Sequence, residues 1–246
     1  MKATVLVFSG LDPSGGAGMA ADVAAIGAMG AHALPLVTAL TVQDHNRVHE
    51  VAPVDAALLA RQADLLAASC AIGAVKIGIP GNRANAEVIA GVVRRLRERD
   101  PGLPVVLDPV LASGHGDALG SGDAAAALAP LLALASVVVP NLGEADALDL
   151  SGCAHVLLTG GHGGGPQVIN RWRGAGQGKA WHWPRLAGEF HGSGCTLAAA
   201  IAACLAQGDS MAHALDRAQV YTHDTLAEAF AVGAGQLLPQ RFLHPY

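Results

Sequence analysis

The sequence is poor in aromatic residues, in charge and in clustered cysteine, and each shortage removes a class of function. Phe, Trp and Tyr make up 4% of the 246 residues, whereas glycine alone supplies 31. That composition favours small-residue helices packed closely on a sheet over an aromatic-rich sandwich. Charged residues are 14% of the chain, and the net charge is -5. The only basic run, Arg94-Arg95-Leu96-Arg97, falls in an expected helix and reads as a solvated face, so a nucleic-acid-binding surface is not indicated. The four cysteines, at 70, 153, 195 and 204, form neither a CxxC pair nor a zinc spacing. Their irregular spread fits a reduced, cytosolic enzyme. No apolar run reaches membrane-spanning length without Gly, Pro or charge. The apolar start Val5 to Phe8 breaks at Ser9-Gly10, too early for a signal peptide. Internal repeats, low-complexity linkers and shifts in composition are also missing. The expectation is one cytoplasmic domain over residues 1–246.

What is present is an alternation of short apolar strands and helices. This is the pattern of an α/β fold in three layers, α/β/α, with a mostly parallel sheet covered on both faces. Thr4 to Phe8 reads as a buried strand ending in the glycine-rich turn 9–18, which opens a helix over Met19 to Ile26. The turn matches neither a dinucleotide fingerprint nor a P-loop. Further strands are expected at 34–40, 74–78, 104–110, 136–141 and 155–159, with extended pieces at 168–173 and 179–183. The tryptophans at 172, 181 and 183 should pack one sheet edge. Helices are expected at 55–69, 85–99, 124–134 and from 211 to about 231, with a loop at 113–117 and an irregular tail from 233. Residues 41–54 read as an extended flap. His45 and His49 have a metal spacing only on a helix, and their context is not helical.

Several polar residues stand at strand ends, where α/β sheets place their sites. Lys76 is either a snorkelling edge residue or an ionic contact in the site. Asp108 closes a buried strand, where a carboxylate needs a partner or a site. Asn141 and Glu144 supply oxygens able to hold Mg²⁺, or else cap a short helix. The chain is organised around Phe190-His191-Gly192-Ser193-Gly194-Cys195-Thr196, which runs into an Ala-rich helix. Free N–H groups at a helix start carry partial positive charge, and glycine lets them approach an anion. Residues 192–195 therefore read as an anion hole. The thiol of Cys195 is expected to have a lowered pKa there. The plainer alternative is a Gly-initiated helix with a buried cysteine. Cys204 reads as core.

Six motifs in one order change that balance: Gly10 to Gly18 with Ala21-Asp22, Thr38 to Gln43, Val75 to Gly78, Leu107 to Val110, Pro140 to Ala145 and His191 to Thr196. Over residues 4–205 the chain resembles the hydroxymethylpyrimidine/phosphomethylpyrimidine kinases of thiamine biosynthesis, within the ribokinase-like superfamily. The resemblance implies phosphorylation of 4-amino-5-hydroxymethyl-2-methylpyrimidine and then of its monophosphate, with ATP and Mg²⁺. It implies Gly10, Asp22, Gln43 and Ile79 around the pyrimidine, and Cys195 as base above the backbone of Gly192, Ser193 and Gly194. Lys76, Asp108, Asn141, Thr159 and Gly161 fall to the nucleotide, and Glu144 and Asp108 to the metal.

The chain also departs from this pattern. A helix usually found between Glu144 and Val156 has no room in the residues available. Thr159 replaces the lysine of a Lys-Gly-Gly-His strand end, and Ile79-Pro80-Gly81 replaces Met-Leu-Ala. The trimmed nucleotide side keeps open a pyrimidine-binding regulator that has lost catalysis, and the cysteine chemistry keeps open a pyridoxal kinase. The extended segment offers a sheet edge for a homodimer.

Overall fold

A computed structural model describes residues 1–112, 117, 124–174 and 176–243. The loop expected at 113–117 therefore lies outside the described residues except for Asp117. One nine-stranded sheet organises the rest, in the order β3-β2-β1-β4-β5-β6-β7-β8-β9. Within it β1 (Thr4–Leu11) is flanked by β2 (His32–Gln43) and β4 (Ala74–Ile77). Then come β5 (Val105–Leu107), β6 (Val137–Val138) and β7 (His155–Leu158), all parallel. Both margins turn antiparallel: β3 (Val48–Pro53) on β2, and β8 (Gln167–Gly174) with β9 (Gln177–Pro184) beyond β7. Parallel strands require crossovers, and these are α1 (Gly18–Ala28), α2 (Ala56–Ser69), α3 (Arg83–Arg99), α4 (Ala124–Leu132) and α5 (Leu142–Ala147). α6 (Ser193–Ala206) and α7 (Met211–Ala227) complete the chain's helices among the described residues.

Period-two alternation along β1 divides the core between the two layers of helices. Val5 and Val7 face one cluster with Ile26, Leu197, Ile201 and Leu215 from α1, α6 and α7. Leu6 and Phe8 face the other, with Leu59, Ile89, Val93 and Leu128 from α2, α3 and α4. All four β1 residues are fully buried, as a strand covered on both faces requires. α6 lies against β1, β4 and β5 with Ala198, Ala199, Ala200, Ala202 and Ala203 wholly buried. Small side chains let that helix approach the sheet closely, which is what the shortage of aromatics indicated. Trp172 is buried against this layer, and Trp183 stacks on His223 of α7 at 4.7 Å.

The extended segment is a β2–β3 hairpin, with a bulge between Val42 and Gln43. His45 lies in its turn and His49 in β3, so they have no helical spacing. Between α5 and β7 the chain makes only turns and bends. The tail is less irregular than its composition indicates. It bridges Phe190 to Leu237 and Phe230 to Leu238.

Candidate functional site

The carboxyl ends of β1, β4 and β5 meet the start of α6, and polar residues gather there. Lys76 enters from β4 with no exposed surface and donates to Asp22 Oδ2 of α1 at 2.8 Å. A snorkelling edge lysine is thereby excluded, and Lys76 is a buried ionic partner of Asp22. Burial alone favours a neutral amine. The charges of Asp22 and Asp108 oppose it and keep Lys76 protonated.

Cys195 lies one turn into α6, which starts at Gly192 with a left-handed φ of 84°. A Cβ on Gly192 would overlap the Gly16 carbonyl, so only glycine permits this approach. The expected lowering of the Cys195 pKa is corrected here. Burial pushes the thiol up to about 12. Lys76 and the Gly18 N–H favour the thiolate, while Asp108 and Asp22 oppose it. The helix start, read alone from sequence, carries too little charge to offset two neighbouring carboxylates and desolvation.

Asp108 follows β5 and faces the same helix start. A Cβ on Gly194 would sit 3.9 Å from its Oδ1. Burial raises Asp108 to about 6, against the charge of Lys76, and its carboxylate accepts from Cys195. Its Oδ2 is buried with no hydrogen-bond partner. Glu144 rises to about 7 through burial and then through the charge of Asp108. Asn141 caps α5 by accepting from Glu144 N at 2.9 Å, and Glu144 Oε2 accepts from Asn141 N at 2.8 Å. The capping alternative is thus realised. No three His, Cys, Asp or Glu side chains among the described residues form a closed metal cluster. An orphaned Asp108 oxygen beside a second carboxylate suits instead a hard dication that keeps most of its waters.

The other expected residues divide. Gly10 and Ile79 are brought together: a Cβ on Gly10 would lie 2.5 Å from Ile79 Cδ1, and Thr38 Oγ1 fixes the Ile79 carbonyl at 2.6 Å. Gln43 stands beyond them, three residues past Leu40, which pairs with Leu11. It is half-buried at the end of β2, where it pairs with Val48 of β3. Thr159 donates to the Pro140 carbonyl and bridges to Asn141. Gly160 N is held by Asn170 Oδ1 at 2.9 Å, and the following glycine loop by Arg185, which donates to the carbonyls of Gly161 and Gly165 at 2.8 Å each.

Sequence reasoning missed four contributors: Asp12, His191, Arg185 and Arg241. Asp12 accepts from Ser14 N, Ser14 Oγ and Ala17 N and pairs with His191 Nε2 at 2.8 Å. Although burial pushes its pKa up, those bonds hold it below the ordinary carboxylate range. Asp12 and His191 both lie within the motifs, but nothing in one dimension pairs residues 179 positions apart. Arg185 and Arg241 grip mainly backbone carbonyls, which carry no sequence signal.

The phosphomethylpyrimidine kinase profile matches residues 12–240. The hydroxymethylpyrimidine/phosphomethylpyrimidine kinase of Rhizobium meliloti is 34% identical over 96% of this chain and 95% of its own length. The protein of the same name from Escherichia coli is 32% identical over 95% of this chain and 94% of its own. Among solved structures, a phosphomethylpyrimidine kinase from Clostridium difficile superimposes with a TM-score of 0.77 at 26% identity, over 92% of this chain and 100% of that one. The ADP complex of Bacillus subtilis pyridoxal kinase gives 0.86 over 98% of both chains at 23% identity, which speaks for the fold alone.

Proposed function

The chain belongs to the phosphomethylpyrimidine kinase family, and we propose that it phosphorylates 4-amino-5-hydroxymethyl-2-methylpyrimidine, then its monophosphate, using ATP. The observation that carries this reading is the convergence of Cys195, Lys76, Asp22 and Asp108 at the glycine-started head of α6.

The reaction needs a positioned alcohol, stabilisation of the transferring charge and an acceptor for one proton. Gly10 and Ile79 form the apolar floor for the ring. Asp22, held by Lys76, offers a carboxylate to the ring's amino group, and the Gln43 amide overhangs the same edge. The N–H groups of Gly192, Ser193, Gly194 and Cys195 face the transferring phosphoryl group. As the oxygen–phosphorus bond forms and the bond to ADP breaks, the hydroxyl proton passes to the Cys195 sulphur. A thiol raised to about 12 starts protonated, so its own proton moves on to Asp108, which already accepts from it. A loose transition state places little demand on the base, so a weak relay suffices. Mg²⁺, held by Asp108 and Glu144 largely through water, would neutralise phosphate charge.

Thr159 and Gly161 border the nucleotide, and the Gly161 N–H takes the place of a lysine there. The chain is read as one cytoplasmic kinase domain that pairs as a homodimer through the β3 edge, beside which Leu40 and Val42 are exposed. Among the described residues no helix is long and apolar enough to cross a membrane. The testing experiment is mass spectrometry of products from the pyrimidine alcohol and Mg-ATP. Appearance of the monophosphate and then the diphosphate supports the reading. Preference for pyridoxal in competition contradicts it.

A further inference from the structure

Arg241 is the buried cation that the proposed chemistry leaves unused. It stands in the tail after α7, 6% exposed, where an unpaired guanidinium is costly. Its Nη2 donates to the Gly16 carbonyl and its Nε to Thr196 Oγ1 at 3.0 Å. These two acceptors belong to different halves of the site. Gly16 lies in the turn that Asp12 shapes, and Thr196 follows Cys195 and itself donates to the Gly192 carbonyl at 2.8 Å. The Gly16 carbonyl is also the atom that Gly192 must approach without a Cβ. One planar fork therefore clamps the contact between the turn and the first residue of the anion hole.

The tail is anchored so that the fork cannot drift. Tyr221 donates to the Arg241 carbonyl at 2.9 Å, Gln240 N to Thr225 O at 2.9 Å and His191 N to Leu237 O at 2.9 Å. Asn46, in the turn of the β2–β3 hairpin, donates to Ala234 O at 3.0 Å and accepts from Gln236 N at 2.9 Å. The tail thus ties the hairpin, the turn and the anion hole together.

We infer that Arg241 is a positioning residue, its guanidinium holding the 12–18 turn and the N–H groups of residues 192–195 in the register that phosphoryl transfer requires. This rests on the kinase reading. Sub-ångström misplacement of such donors costs rate more than affinity, because they act chiefly on charge developed in the transition state. The charge on Arg241 also faces Cys195, Tyr221, Asp22 and Asp12, so its removal perturbs the same cluster.

The test compares full-length wild type with Arg241→Met in pyrimidine-dependent ADP release, with hydrogen exchange of the 190–197 peptide as an arm that needs no turnover. The expected result is kcat lower by about fivefold or more, with KM for Mg-ATP and for the pyrimidine little changed, and faster exchange at 190–197 while the later turns of α6 stay protected. A smaller fall in kcat, a loss confined to KM, or unchanged exchange overturns the inference. Where Arg241→Met does not fold, Arg241→Lys, which keeps the charge and breaks the fork, is judged by the same outcomes. Should wild type release no ADP, the kinase reading fails by itself, and exchange alone decides the role of Arg241.

Discussion

On the side proposed for the acceptor, several side chains do the holding: Lys76 on Asp22, His191 on Asp12, and Arg241 on the Gly16 carbonyl and Thr196. On the side proposed for the nucleotide, residues 160–165 include five glycines, and one arginine from beyond β9 holds carbonyls among them. The contrast follows from what each ligand needs. A small neutral alcohol must be oriented by directional groups that are costly to leave unpaired. A polyphosphate can be met by backbone N–H groups, for which glycine is the least obstructive residue. On the proposed reading, the short 145–167 region and Thr159 thin one half of the cleft and leave the other intact.

The sharpest test of the acceptor side is Cys195→Ala. Removing the proton acceptor should lower turnover about a thousandfold, within the range for general bases. Pyrimidine affinity by calorimetry should stay near wild type. A fall below about tenfold would move the base elsewhere.

Next in size is Lys76→Met, which leaves Asp22 as an unpaired buried charge. Breaking a buried pair by deleting one partner costs about 3–5 kcal/mol, read by denaturant unfolding. The double variant Asp22→Asn with Lys76→Met should recover most of that stability and none of the activity. Equal stability of the Lys76→Met variant and wild type would mean that the pair is not closed as described.

Thiol reactivity comes third. With Cys195 pushed up to about 12, its alkylation by iodoacetamide should rise about tenfold per pH unit without a plateau up to pH ~10, because the thiolate is the nucleophile. A plateau near neutral pH, in mass-mapped peptides that separate Cys195 from Cys70, would restore the lowered pKa expected of a helix start.

The smallest expected effect lies on the other side of the comparison. Arg185→Ala frees the 161–165 carbonyls and should raise KM for Mg-ATP about tenfold, with KM for the pyrimidine unchanged. If both rose together, the two halves would not be independent.

The layered fold was legible because its signals are local and periodic. Val5 to Phe8 reads as a doubly covered strand, and the alanines after Cys195 read as a helix meant for close packing. The motif residues at strand ends were legible as a set, and the structure gathers most of them. Lys76 could not be resolved from sequence, since its partner Asp22 is 54 positions away. The direction of the Cys195 shift was misread because desolvation and the Asp108 charge exist only once β5 and α6 meet. The tail looked formless, yet its contacts are mostly main-chain bonds to distant segments. Side-chain periodicity carries no trace of those.

The measurement that bears most directly on the account is pyrimidine-dependent ADP release by the wild-type chain at saturating Mg-ATP, with pyrimidine binding followed in the same preparation. The expected result is release that requires the pyrimidine alcohol and needs a high ATP concentration to saturate. Folded protein that binds the pyrimidine yet releases no ADP would contradict it, and would mean that the thinned half of the cleft no longer serves a kinase.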